Sequence, residues 1–287
     1  MAQHGSIRAA ARELGVAPSA VQRTLVAAER QLGTELFERS ARGVIPTDAG
    51  QVVAAHARER RDLDHMLESQ LADLKGLHHG HLAVATGESY VSELWRSTVA
   101  PFLDAHPGVQ VRLHTAGSDG IVDLLVADEV DVGIALHPRP DPAVTVVAST
   151  PQPLLVVCRP DHPFAARSSL RPRDLEGCSV AMLPAHFGLR TLHDELTRTH
   201  EVQVTARLVT ESQAAVLEAV LSGHALALLP PVTVSRYVVR GRLVAVPLED
   251  PHTSAVQARL LTRKGRRLTP AARAFVTACQ TGMFGGR

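Results

Sequence analysis

Ser6-Ile7-Arg8-Ala9-Ala10-Ala11-Arg12-Glu13-Leu14-Gly15-Val16-Ala17-Pro18-Ser19-Ala20-Val21-Gln22-Arg23-Thr24-Leu25 is the stretch from which the N-terminal fold is read. Ile7, Ala10, Ala11 and Leu14 fall on one helical stripe, which Gly15-Val16 breaks. Pro18 suits the first turn of a second helix, because that position has no intrahelical partner for an N–H. Val21, Leu25, Ala28 and Leu32 recur at steps of four, three and four, which predicts the core face of that helix. Gly33 ends it. The opposite face carries Ser19, Gln22, Arg23, Val26 and Arg30. Two helices joined by a tight glycine-containing turn read as a helix-turn-helix.

Working outward, Leu36–Arg39 and Arg42–Pro46 predict a small hairpin or wing with two arginines. Thr47 is placed to cap the next helix, which is expected to run to about Leu74 or Leu77. Its Leu63, Leu67, Leu71 and Leu74, spaced by four, four and three, form a seam that marks dimerisation. A lone surface helix packed on its own domain is the alternative.

The sequence changes character near Gly76-Leu77-His78-His79-Gly80-His81. The glycines suit a hinge, and the histidines have no neighbouring Cys or acidic residue that would complete a metal site. Beyond it, short Val/Leu/Ile runs alternate with helical stretches, an α/β pattern. Strands are expected at 82–86, 109–114, 130–136, 154–158, 180–183, 204–209, 225–229 and 258–262. Helices are expected at 93–106, 121–128, 189–198, 213–222 and 270–279. The expected domains are a winged helix-turn-helix at 1–50, a linker helix and hinge at 51–79, and an α/β domain at 80–287. Within the last, one subdomain takes 80–151 and 266–287 and the other 152–265.

Length and composition fit this layout. The 287 residues are 45% hydrophobic and 21% charged, which argues against disorder. No run of 18 residues is free of charge, so no membrane span is expected. Three cysteines, Cys158, Cys178 and Cys279, do not make a closed disulfide framework, and a reducing cytoplasm fits. The net charge of +1 excludes a bulk polycation, and all basic residues except Lys75 and Lys264 are arginines. Nucleic-acid binding would then depend on where the arginines sit.

A recognition helix needs polar side chains near its N-terminus to reach base edges in the major groove. Ser19, Gln22 and Arg23 meet this need, since Gln pairs with adenine and Arg with guanine in bidentate fashion. Arg8, Arg12, Arg39 and Arg42 are candidates for phosphates or a minor groove. Ser6 would offer a hydroxyl and a helix N-terminus to a phosphate. Periodicity alone leaves this reading level with that of a plain helical hairpin.

The chain resembles the LysR-type transcriptional regulators in Gly5–Val16, in Val21–Leu25 with Glu29, Leu32 and Gly33, in Leu36–Arg39, in Arg42-Gly43, and in Thr47–Gly50. The resemblance continues in Pro101–Leu103, His106–Val109, Asp131–Ala135, Arg159–Ala165, Gly223–Pro230, Gly241–Val244 and Arg266–Phe275. It implies a winged helix-turn-helix, a linker helix and a periplasmic-binding-protein-like effector domain of two α/β subdomains. It also implies a homodimer or homotetramer on an interrupted palindrome of double-stranded DNA, a small-molecule co-inducer, possible contact with RNA polymerase, and no cofactor. The implied DNA-binding set is Ser6, Arg8, Pro18, Ser19, Gln22, Arg23, Arg39, Arg42 and Thr47.

Two features depart from the family. Its members begin with a helix of roughly 15 residues ahead of the position of Gly5, so most of that helix is expected to be absent here. Ala17 stands where the family favours a serine cap, and Gln22 where it favours serine.

The family uses the loop after the strand ending at Thr86 for effector contact. Thr86, Glu88 and Ser89 are therefore the first candidates, with Ser118, His137, Pro184, His186, Phe187 and Ser212 by position; any one of them also reads as a simple cap or turn residue. Glu88 would disfavour a carboxylate ligand unless paired. Gly87-Glu88-Ser89 also resembles a hydrolase nucleophile elbow, but Val91 replaces the final glycine and no His–acid pair is marked by spacing. The expectation is a regulator and not an enzyme; a small-molecule binder with a defective DNA-binding domain is the alternative, with a Ser89 hydrolase after it.

Overall fold

The computed structural model describes residues 6–13, 15–40, 43–73, 80–185 and 187–285. The chain divides into two units, Met1–Glu68 and Ser69–Arg287.

In the first unit, α1 (Ile7–Glu13) and α2 (Pro18–Leu32) pack together. Ala10 and Ala11 are buried, and α1 begins where the Ser6 hydroxyl accepts the Ala9 N–H at 3.1 Å. Gly33 closes α2 at φ 68°, a left-handed conformation that costs glycine nothing. The expected core face of α2 is only half covered: Val21, Leu25 and Ala28 are half-buried, and Leu32 is 53% exposed. The seven residues of α1 are too few to cover the four turns of α2. The wing is an antiparallel pair, β1 (Phe37–Ser40) and β2 (Gly43–Pro46), with Phe37 opposite Pro46. The long helix α3 (Asp48–Asp73) follows. A Cβ on Gly50 would lie 1.9 Å from the Leu36 carbonyl oxygen, so only glycine lets the start of α3 approach the segment before the wing.

The second unit begins with β3 (Gly80–Thr86), α4 (Glu88–Leu94), a π turn at Trp95–Val99 and α5 (Ala100–Ala105). The helix expected from residue 93 therefore starts five residues earlier and is interrupted. Next come β4 (Val109–Thr115), α6 (Ser118–Val126), β5 (Val132–Leu136) and β6 (Val144–Pro151). The chain then builds β7 (Leu155–Cys158), β8 (Ser179–Met182), α7 (Gly188–His200), β9 (Thr205–Val209), α8 (Gln213–Leu221), β10 (Ala227–Leu229), α9 (Pro231–Val239) and β11 (Val244–Pro247). It returns through α10 (Pro251–Ser254) to β12 (Gln257–Arg263) and α11 (Pro270–Thr281).

The first sheet has the order β4-β3-β5-β12-β6. Strands β4, β3 and β5 run parallel, while β12 is antiparallel to both β5 and β6. The expectation assigned residues up to 265 to the second subdomain, yet β12 pairs along its length with the first sheet. The return crossing thus lies between β11 and β12. Strand β12 is apolar enough to suit either sheet, and only its pairing decides. The second subdomain pairs β10 and β11 with β7, both antiparallel, and β8 with β9 in parallel. A parallel bridge between Val180 and Leu226 links β8 to the segment leading into β10. Strands β6 and β11 and helices α9 and α10 were not expected from the sequence.

Burial holds each subdomain together. Phe275 of α11 meets Phe102 of α5 edge-on at 5.2 Å in the first core. Gly133 lets α6 lie close on β5, since a Cβ there would come 2.7 Å from Ile121. The largely buried Arg266 guanidinium pairs with Asp128 at 2.9 Å and Asp131 at 3.0 Å, and Asp131 also accepts the Ala83 N–H at 2.8 Å. These bonds tie the segment after β12 to β3 and the turn before β5.

Candidate functional site

Two sites stand out, one in each unit. In the first, α2 presents Pro18, Ser19, Gln22 and Arg23 in its first two turns, all exposed. Its N-cap is Ala17, with no side-chain cap hydrogen bond, as the sequence predicts. Arg8 and Arg12 of α1 are also exposed. The hydroxyl of Ser6 is engaged in capping α1. Thr47 has a structural duty as well: its hydroxyl donates to the Glu35 carbonyl at 2.7 Å and accepts the Gly50 N–H at 3.0 Å. The Glu29 carboxylate accepts the Leu36 N–H at 2.8 Å, fixing the end of α2 to the start of the wing. Arg39 lies in β1 with only its backbone described, and Arg42 lies outside the described residues. On α3, Leu63 is 62% and Leu67 56% exposed, one turn apart. Leu71 is described in backbone only, and Leu74 falls outside the described residues.

The second site is a cleft in the α/β unit. Strand ends β3, β4 and β8 lead directly into helix starts α4, α6 and α7, and β9 leads into α8. In open α/β sheets ligands bind beyond the carboxyl ends of the strands, where such starts converge. Here Gly87–Tyr90, Ala116–Ser118, Phe187–Leu189 and Gln213 line one cleft together with Leu136 and Leu183. Its cavity volume is about 40 Å³, so a ligand larger than a water must displace the side chains that bridge it.

Two hydrogen bonds cross this cleft between the subdomains. The Ser89 hydroxyl donates to the Gln213 side-chain oxygen at 2.8 Å. The Glu88 carboxylate accepts the Gln213 backbone N–H at 3.2 Å, at the first turn of α8. Ser118 donates to the Leu136 carbonyl at 2.6 Å. A Cβ on Gly188 would sit 3.3 Å from the Ser118 hydroxyl, so α7 begins against α6. Tyr90 (1% exposed) and Gln213 (5%) each keep a buried polar atom without a partner, the Tyr90 hydroxyl and the Gln213 Nε2. Burial pushes the Tyr90 hydroxyl well above the usual phenol range, so it stays protonated and able to donate.

Of the effector candidates, Glu88, Ser89, Ser118 and Phe187 come together in the cleft. Thr86, His137, Pro184 and Ser212 do not line it. Thr86 is fully buried, and its hydroxyl donates to the Gly87 carbonyl at 3.4 Å. His137 is exposed in a left-handed turn (φ 45°). Pro184 is half-buried, and Ser212 caps α8 by accepting the Ala215 N–H at 3.3 Å. His186 lies outside the described residues. Sequence reasoning missed Tyr90 and Gln213. Gln213 is 125 positions from Glu88, a separation for which no spacing rule exists.

The cysteines are protected. Burial pushes the thiols of Cys158 and Cys178 up, and that of Cys279 up to about 12 against a smaller lowering by Thr98. None is poised as a thiolate.

Residues 75–283 match the family model "LysR substrate binding domain", and residues 1–51 match "Bacterial regulatory helix-turn-helix protein, lysR family". The chain is 29% identical to a RuBisCO operon transcriptional regulator of Allochromatium vinosum, over 96% of this chain and 90% of that protein. It is also 29% identical to an SDS degradation transcriptional activation protein of Pseudomonas, over the same shares. Among solved structures, full-length OxyR of Pseudomonas aeruginosa matches with a TM-score of 0.71 at 20% identity, covering 96% of this chain and 90% of that one. The regulatory domain of Synechocystis CcmR in complex with 2-PG matches with a TM-score of 0.65 at 21% identity, covering 72% and 99%. Full-length CbnR complexed with its target DNA matches with a TM-score of 0.54 at 23% identity, covering 96% and 94%. The chain belongs to the LysR family of DNA-binding transcriptional regulators and carries that family's effector-binding domain. No helix among the described residues is long and apolar enough to cross a membrane.

Proposed function

We propose that α2 reads operator DNA through Ser19, Gln22 and Arg23, and that a small molecule bound in the Glu88–Gln213 cleft controls that reading. The observation that carries the first half is the exposed polar face at the start of α2, in a chain whose family binds DNA. Arg8 and Arg12 serve phosphates, as do Arg39 and Arg42 in the wing. Ser6 and Thr47 contribute by capping α1 and α3, which holds the helices that carry the contacts. Leu63 and Leu67, apolar and exposed on α3, join Leu71 and Leu74 in pairing two copies of the helix. Residues 1–50, 51–79 and 80–287 serve as the DNA-binding, linker and effector segments of this scheme.

The ligand acts by population shift. Only a molecule that binds the closed and open cleft with different affinity changes DNA occupancy. The two bonds from Glu88 and Ser89 to Gln213 already span the subdomains, and a ligand either reinforces or replaces them. The protein acts where DNA is, in the cytoplasm, and not as an enzyme. Ser89 donates to a glutamine, a partner that lacks the basicity to activate a nucleophile.

The test is footprinting of DNA flanking the gene at low and moderate salt. Protection of a site with two half-sites is expected. Arg23→Ala should weaken specific binding far more than non-specific binding; equal losses would remove the base-reading role.

A further inference from the structure

The cleft has an unusual balance of charge for a site built at helix starts. Neither α6 nor α7 has a side-chain cap, their N-caps being Gly117 and Phe187. Their first-turn N–H groups therefore border the cleft as donors. Tyr90 and Gln213 line the cleft, and each carries a buried donor without a partner, the Tyr90 hydroxyl and the Gln213 Nε2. Against these stands Glu88, the one charged side chain among the described lining residues. One of its oxygens is engaged with the Gln213 N–H, and a carboxylate has acceptor sites to spare. No described arginine or lysine lines the cleft to balance a multiply charged anion. Leu136, Leu183, Phe187 and Leu189 supply the apolar remainder.

Resting on the reading of this cleft as the effector site, we propose that its ligand is a zwitterion, an α-amino acid with an apolar side chain. The ligand carboxylate meets the donors at the starts of α6 and α7 and on Tyr90 and Gln213. The ammonium meets Glu88, whose charge it neutralises, and the side chain lies against the leucines and Phe187. A phosphate ester or dicarboxylate brings two negative charges beside Glu88 without a cation to offset them. A neutral polyol leaves the carboxylate unpaired.

Titration calorimetry on the full chain tests this, after a thermal-shift screen of the apolar L-amino acids at millimolar concentration. L-Leucine, 4-methylpentanoate (no ammonium), 3-methylbutylamine (no carboxylate) and inorganic phosphate are the probes. At least one apolar amino acid should bind. With leucine as the reference, each half-analogue should bind about 10- to 100-fold more weakly, the loss expected for one charge-assisted contact. Glu88→Gln should weaken leucine by a similar factor while strengthening 4-methylpentanoate, a reversal that a merely structural role for Glu88 does not produce. Gln213→Leu should weaken leucine and 4-methylpentanoate together.

The proposal is overturned if no apolar amino acid binds, or if phosphate or 4-methylpentanoate binds as well as the amino acid. It is also overturned if Glu88→Gln leaves the ranking unchanged. Gly188→Trp, which fills the cleft beside Ser118, separates the two readings, its fold being checked by its melting curve. A ligand of another class that it abolishes removes only the zwitterion. A ligand that survives it removes the cleft reading as well.

Discussion

The two sites of this protein are assembled in opposite ways. The proposed DNA-reading face lies on one helix, within six residues from Pro18 to Arg23. Pro18, Ser19, Gln22 and Arg23 are all exposed. The cleft gathers residues from six separate stretches of the chain, and its two cross-cleft bonds join residues 124 and 125 positions apart. A surface site on a helix needs only the helix period to bring its members together. A cleft site needs two sheets to form and the chain to cross between them twice.

The largest effect should come from breaking the core beneath the cleft. Phe275→Ala removes a fully buried ring and should cost roughly 3–5 kcal/mol, measured by urea unfolding followed in the second unit. If it costs under about 1 kcal/mol, that core does not support the cleft as described. Next in size, Arg23→Ala should lose roughly 1–3 kcal/mol of sequence-specific DNA binding with the melting temperature unchanged, since the residue is exposed. A parallel loss of stability would show that α2 depends on its outer face.

Smaller effects separate α2 from α3. Thr47→Ala removes the Gly50 cap and the bond to Glu35 and should destabilise by about 1 kcal/mol. Ala17→Ser supplies a missing cap to α2 and should stabilise by a comparable or smaller amount. Opposite signs in thermal melts of the two variants are the expected result.

The smallest effect concerns acid stability in the second unit. Burial raises the Asp250 carboxyl, but hydrogen bonds from the Thr253 N–H and from His200 at 2.8 Å outweigh it, so the net position is below the ordinary carboxylate value. A folded pKa below the unfolded one contributes stability above the unfolded value and loses it as pH falls through the folded value. Asp250→Asn should therefore lower stability at pH 6 and flatten the acid limb below about pH 4. Identical acid limbs in the two proteins would remove Asp250 from that account.

Legibility followed the same divide. The helix boundary at Gly33, the wing, and the cap at Thr47 were readable because each is settled by residues a few positions away. Eight strands were readable from apolar runs, but β6 and β11 were not. Strand β6 is half exposed and interrupted by Ser149 and Thr150, and β11 is four residues ending in proline. Leu32 falls on the apolar period of α2 yet is 53% exposed, because periodicity marks an apolar face and does not say how far the neighbouring helix reaches. Among the cleft candidates, position relative to a strand end located Glu88, Ser89, Ser118 and Phe187. Thr86 and Ser212, whose hydroxyls are engaged with the backbone, do not line the cleft.

By itself, the sequence determined the family, the alternation of elements, and the polar face of α2, since these rest on local propensity and period. Tertiary structure decided that β12 belongs to the first sheet and that Gln213 meets Glu88 and Ser89. It also decided that Tyr90 is buried with its hydroxyl unpaired. Strand pairing and cleft closure are settled by competition among distant segments for the same hydrogen bonds and apolar surface, and no single stretch of chain encodes which partner wins.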